Sequence, residues 1–301
     1  MKKTILLITL FFISYISIAN EPEQEYTEEQ LAYFAEMQKI ADSINKQTGT
    51  ITLPGNKIQL DVPEGFYYLS AQDADKILVD LWGNPPGQTT LGMLFPAKYS
   101  VLDAEAWGVT LEYEETGYIS DEDAQDIDYQ DMLKDMKADT KEWNKERAKQ
   151  GYELIELIGW AAPPKYDAQN KKLHWAKELK FGEQEENTLN YNVRVLGRQG
   201  VLNMNFIAGM TQLNDIESNI NSVMHIAHFK PGHTYAEFNP EYDKVAAYGI
   251  GALVAGKVAA KTGLFAALLL IIKKFWFVII AGFIWLGKLF TNKKNKADSD
   301  Q

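Results

Sequence analysis

Six residues hold the richest combination of reactive and recognising groups in the sequence: Trp160, Tyr166, Asp167, His174, Trp175 and Arg194. Asp167 and His174 supply the carboxylate and imidazole that general acid–base catalysis uses. Pro163-Pro164 imposes a rigid turn, and strands on either side of it would bring the aromatic rings beside an Asp–His–Arg group. Aromatic faces next to a carboxylate suit a saccharide or peptide, as a binding protein or a cell-envelope hydrolase would hold it. A plainer reading competes with that one. Aromatic residues in strands are usually core, and an arginine on an outward strand face usually ends in an ion pair.

Other candidate sets are weaker. His225, His228 and His233 lie close in sequence, with Glu237 four residues further on, and these are zinc-ligand types. His225 closes a helical pattern whereas His228 opens a strand or turn, so their side chains need not converge, and no metal is assigned. Asp121, Glu122, Asp123, Asp126 and Asp128 evoke a calcium loop. Counted from Asp121, the sixth and twelfth places hold Asp126 and Met132 instead of glycine and glutamate, so the template fails. Gly251 to Lys257 matches the start of a phosphate-binding loop, but Val258 stands where a Ser or Thr must hold magnesium. No Gly-x-Ser-x-Gly elbow or His-Glu-x-x-His pair occurs, and nothing in the sequence calls for a cofactor.

The elements that would position these residues are readable from periodicity. Leu31, Phe34, Met37, Ala41 and Ile44 mark one helix face, entered through a capping box at Thr27 and stopped by Gly49. Strands are expected at 51–53, 58–62, 66–69, 89–95, 107–113, 154–160, 173–179, 189–196 and 201–207. Further helices are expected after Ser70, from Asp128 to Gly151, and after Thr211. Alternation is clearest at Leu189, Tyr191, Val193 and Val195, with Asn190, Asn192 and Arg194 on the other side. Adjacent strands with short connections predict an α+β fold: an antiparallel sheet with amphipathic helices on one face, followed by a C-terminal membrane helix or helical hairpin.

The two ends have a different character. Lys2 and Lys3, the apolar run Ile5–Ile16 and the small residues of Ser17-Ile18-Ala19 have the build of a signal peptide cleaved after Ala19. From Val245 to Phe290 the chain is almost wholly apolar. Phe275–Phe290 gives 16 residues, or about 24 Å of helix, which flanking lysines can extend toward a hydrocarbon core of about 30 Å. Upstream, Ala247, Gly251, Ala255, Ala259, Gly263 and Ala267 recur every four positions, a small-residue stripe suited to close packing against another helix. The net charge is -11, yet ten of the 30 basic residues lie in the two ends and only two of the 41 acids do. An acidic body excludes a nucleic-acid interface. The absence of cysteine removes disulfides, thiol nucleophiles and thiolate metal sites.

Three stretches resemble a known family: Gly159-Trp160-Ala161-Ala162-Pro163-Pro164-Lys165-Tyr166-Asp167 with Leu173 to Leu179, Leu189 to Arg198, and Phe238-Asn239-Pro240 with Asp243 to Gly249. They are similar to the bacterial proteins grouped as domain of unknown function 2167, described as membrane-anchored. The resemblance implies an exported domain with a C-terminal anchor and brings no activity, cofactor or catalytic residue. The expected organisation is a signal peptide at 1–19, an acidic segment and amphipathic helix at 20–49, an exported α+β domain at 50–244, a membrane-anchoring region at 245–290 and a polar basic tail at 291–301. The expected function is a non-enzymatic binding module at the outer side of the cytoplasmic membrane. Its partners would be the lipid bilayer and a membrane or envelope protein, or a second copy of itself through the stripe.

Overall fold

The computed structural model describes residues 28–256 apart from 83–86, 88, 89, 104, 150, 152 and 184. The expected signal peptide, Thr27, Lys257, Lys261, Ala259, Gly263, Ala267 and the run Phe275–Phe290 lie outside the described residues. Among the described residues no helix is long and apolar enough to cross a membrane.

The chain opens with helix α1 (Glu28–Asp42) and continues through β1 (Gly49–Thr52), β2 (Ile58–Val62) and β3 (Phe66–Ser70) into α2 (Ala71–Asp75). The Ser70 hydroxyl accepts the Asp73 N–H and starts α2, which widens into a π turn over Lys76–Leu81. Strands β4 (Gly92–Pro96) and β5 (Gly108–Glu114) precede the long helix α3 (Tyr129–Lys149). Four strands follow, β6 (Ile155–Asp167), β7 (Lys172–Phe181), β8 (Thr188–Leu196) and β9 (Val201–Gly209). Helix α4 (Leu213–Ile226), β10 (Ala227–Phe229) and the short α5 (Ile250–Ala255) complete the described chain.

Seven strands form one antiparallel sheet in the order β3-β4-β5-β9-β8-β7-β6, and β1-β2-β10 form a smaller one. The first face of the large sheet carries the main apolar core. Leu189, Tyr191, Val193 and Val195 of β8, with Leu202, Met204 and Phe206 of β9, pack there against the small sheet and the Ile216, Ile220 and Val223 side of α4. Trp107 is fully buried in this core between Phe66, 6.0 Å away edge-on, and Phe206, 5.6 Å away and stacked. Such aromatic pairs add about 0.5–1.5 kcal/mol each beyond area burial.

The second face carries two separate apolar islands. At one end Tyr67, Leu69, Met93 and Phe95 meet α2 and the inner side of α1. At the other, Leu173, Trp175, Leu196 and Val201 meet Ile250 and Val254 of α5 and, less deeply, Tyr129 and Met132 of α3. Helices therefore cover both faces, not one. Both α1 and residues 246–255 belong to the packed body, so its boundary runs past residue 244: Ala246, Ile250 and Val254 are buried. Tyr118 holds this last stretch by backbone bonds on either side of Val245, donating to Lys244 and accepting from Ala246.

Two local expectations are corrected. Pro163 and Pro164 do not turn the chain but lie inside β6. That strand is at the sheet edge, where a missing N–H costs least, and its register against β7 slips at three places. The turn falls instead at 168–171, with Lys171 in the left-handed region at φ 56°. The small-residue stripe is also broken. Ala247 precedes α5, and Gly256 at φ 67° ends it directly after Ala255, a left-handed cap that glycine adopts without strain. Gly251 faces inward, toward Ile127 and Met132 of the same chain.

Candidate functional site

Between the two islands of the second face runs a band of polar side chains, a consequence of period-2 alternation on three neighbouring strands. Register places Thr110 and Glu112 of β5 opposite Asn205 and Asn203 of β9, and these opposite Asn192 and Arg194 of β8. Asn192 and Asn203 are 5% and 4% exposed, in the middle of a seven-stranded sheet. Buried amides at such a place need partners.

Most of the band is satisfied internally. The Arg194 guanidinium lies over the Trp175 ring, 5.1 Å from its centroid. It donates to Asn205 Oδ1 at 2.9 Å, to Asn192 Oδ1 at 3.2 Å and to the Val193 carbonyl at 3.0 Å. Asn192 Nδ2 donates in turn to the Asn190 carbonyl and side chain. Asn203 Nδ2 donates to Glu114 Oε1 at 2.6 Å, but Asn203 Oδ1 is buried without a hydrogen-bond partner. Burial depresses the Arg194 pKa to about 10, against the opposing pull of Glu114 and Glu112. It pushes the Glu112 carboxyl up, and the neighbouring Glu114 adds to that shift. A cleft of about 140 Å³ opens here, bounded by Glu114, Arg194 and Asn203 on the sheet and by Tyr248, Ala252, Leu253 and Gly256 of the C-terminal stretch. A larger cleft of about 590 Å³ lies between α3 and the β6–β7 pair. Its walls are mostly apolar, with Met136, Trp143, Leu157 and Leu179, and it suits a nonpolar occupant better than directed chemistry.

The six residues expected to form a site divide into three groups. Arg194 and Trp175 meet directly. Trp160 and Tyr166 join the same side of the sheet but are used internally. The Trp160 indole donates to the Tyr129 carbonyl, and the Tyr166 hydroxyl donates to Asp121 Oδ2 at 2.6 Å. Trp175 is 2% exposed and offers no ring face to a sugar. Asp167 and His174 are not brought together. The Asp167 carboxylate accepts the Gln169 and Asn170 N–H groups and the Asn170 amide, which holds its pKa down and closes the β6–β7 turn. His174 projects from the opposite face to Trp175, with Nδ1 3.0 Å from Tyr191 Oη. Burial first, then Lys165, depresses its pKa.

The acidic loop is structural. Asp121 accepts from Lys171 at 2.7 Å, from Tyr166 and from Tyr235 at 3.1 Å; these bonds outweigh its burial and hold the carboxyl low. Asp123 accepts the Ile250 and Gly251 N–H groups at the start of α5, and Asp128 accepts those of Gln130 and Asp131 at the start of α3. The histidines stay apart. His225 Nδ1 lies 2.6 Å from the Asn221 carbonyl, His228 is on β10 within 3.7 Å of Asp61, and Glu237 caps its own turn through Gly232 and Thr234. Among the described residues no group of three or more His, Asp or Glu is placed to hold a metal.

Asn192, Asn203, Asn205, Glu112 and Glu114 were not among the expected site residues. The signal for them is the polar phase of strands whose other phase is apolar, read on β5, β8 and β9 together.

Among solved structures, the chain is similar to cyanobacterial PsbP (CyanoP) from Synechocystis sp. PCC 6803. The identity is 10% over 62% of this chain and 93% of that one, with a TM-score of 0.33. It is similar also to the Saccharomyces cerevisiae Ran-binding protein Mog1p, at 14% identity over 62% and 96% of the two chains and a TM-score of 0.30. These likenesses are too loose to carry an argument about function. No curated protein matches the sequence. The model of the family described as protein of unknown function DUF2167 matches residues 45–284, which span the whole polar band and α5, and the chain belongs to that family.

Proposed function

We propose that the chain is an exported binding module of the cell envelope, held at the cytoplasmic membrane by the apolar stretch after Gly256, with the polar band beneath α5 as its binding surface. The observation that carries this reading is Asn203 Oδ1. It is a buried acceptor with no partner, beside Arg194, in a cleft whose outer wall is the segment leading into residues 257–290. Leaving such a group unpaired costs about 1–3 kcal/mol, a cost that an occupant with a donor would remove. Binding there would act on the base of the membrane segment. The acid–base reading of Asp167 and His174 draws no support from geometry, because the Asp167 carboxylate is committed to its own turn.

Cell fractionation tests the membrane part. The full chain is expected in the membrane fraction after a high-salt, alkaline wash, released only by detergent. A chain cut after Gly256 is expected in the soluble fraction. A full chain that washes off, or a truncated one that stays behind, would contradict the proposal.

A further inference from the structure

The cleft under α5 has a chemical pattern more specific than polarity. Glu114 Oε1 sits 2.6 Å from Asn203 Nδ2, which fixes the amide: a carboxylate needs the donor nitrogen beside it, so the orphaned end is the carbonyl oxygen. Asn203 is 4% exposed and lines the cleft. An N–H donor is missing at that point, and the adjacent Glu114 carboxylate favours a donor that is positively charged. Across the same cleft Arg194 lies over Trp175, and its Nε–H and second Nη2–H, not used by Val193, Asn205 or Asn192, form the donor fork left for a carboxylate. The requirements are opposite in charge and close together. The cleft's volume of about 140 Å³ is well below the roughly 300–1,000 Å³ of sites for drug-sized ligands, so the occupant is small.

We propose that this cleft binds a small α-amino acid as its zwitterion, the ammonium group donating to Asn203 Oδ1 and Glu114 and the carboxylate accepting from Arg194. This rests on the binding-module reading above and names its ligand class. A fully methylated amine is excluded, because it has no N–H for Asn203.

The test is calorimetric titration of the full-length protein in detergent with glycine and L-alanine, and with acetate and methylamine as half-ligands. Glycine is expected to bind saturably at one site per chain, and each half-ligand about tenfold more weakly or worse. Glu114 is solvent-exposed, so Glu114→Gln keeps the fold and is expected to weaken glycine about tenfold. Ala252→Phe, checked for folding by circular dichroism, fills the cleft from its outer wall and is expected to abolish binding. Three results would each overturn the proposal: no saturable heat with either amino acid, a half-ligand that matches glycine, or glycine binding unchanged in Glu114→Gln. A blank titration of protein that fractionates with membranes removes the ligand alone. Release of the full chain from membranes removes the module reading whatever the titration gives.

Discussion

Replacing Asp215 with alanine is expected to destabilise the domain by about 2–4 kcal/mol, read from the midpoint of denaturant unfolding. Asp215 sits in the first turn of α4 and ties that helix to the β4–β5 connection. Its carboxylate accepts from Lys98 at 2.6 Å, from the Trp107 indole at 2.7 Å and from the Tyr99 hydroxyl at 3.3 Å. Trp107 is fully buried, so truncation strands its N–H where water cannot reach it. The helix also loses a negative charge at its N-terminal end, worth a few tenths to 1 kcal/mol. Asp215→Asn keeps an acceptor for the indole and is expected to lose about half as much. The pH dependence has a definite sign. Burial raises the Asp215 pKa, but the bonds from Lys98, Trp107 and Tyr99 outweigh it and hold the carboxyl below its ordinary value. A depressed carboxyl stabilises the fold above its unfolded pKa of about 4 and loses that contribution as pH falls through the folded value. The gap between parent and Asp215→Ala should therefore be full near neutrality and shrink below about pH 4. A gap that widened in acid would refute the assignment.

Gly92→Ala should be at least as damaging, by about 3 kcal/mol or more, because strain and overlap coincide. Gly92 pairs with Ser70 on one side and Leu111 on the other, at φ 137°, a conformation that side-chain-bearing residues rarely adopt. A methyl group there would fall 2.4 Å from the Leu69 carbonyl oxygen and 2.4 Å from the Tyr68 ring. The carbonyl is backbone and cannot swing away, so β4 would have to leave both neighbours. Gly65→Ala is the matched control. It has open space around its Cβ position and no left-handed φ, and its effect should lie within about 0.5 kcal/mol of zero. Equal losses at the two sites would show that glycine flexibility, not local geometry, sets the cost.

Much of the sheet is legible in the sequence because one phase of each strand is apolar. The alternation from Leu189 to Val195 places all four apolar residues in the core, and the Gly197–Gly200 connection joins β8 to β9 as its spacing implies. Helix α3 begins where Asp128 predicts it, since that carboxylate caps the first turn. Thr211, by contrast, does not cap α4. Its hydroxyl reaches Glu186, and a short 3-10 turn over Met210–Gln212 leads into the helix.

The candidate site was harder to read for a related reason. The Asp167–His174 pairing assumes that proximity in a hairpin brings side chains together, whereas a turn aspartate satisfies the nearest free N–H groups first. The slipped register of β6 also defeats period-2 bookkeeping through Trp160–Lys165. The polar band, conversely, is visible only when β5 is laid beside the β8–β9 hairpin, which lies some distance along the chain. Arg194 and its partner Asn192 share one face of the β8 alternation, whereas its partner Asn205 is found only through the register with β9. The small-residue stripe from Ala247 to Ala255 reads as one helix by spacing alone. Gly256, which a spacing argument counts as ordinary packing surface, is the residue that ends it.

Side-specific labelling tests most directly whether the module is exported with its binding face outside the cytoplasm. The protein has no cysteine, so one introduced at Tyr242, which is 81% exposed beside the C-terminal stretch, is a unique reporter. Intact cells carrying the full-length Tyr242→Cys protein would be treated with a membrane-impermeant maleimide, with a cytoplasmic thiol protein as the control that must stay unlabelled. Labelling at Tyr242→Cys without lysis is the predicted result. Labelling that appears only after lysis would place the domain inside the cell and contradict the account.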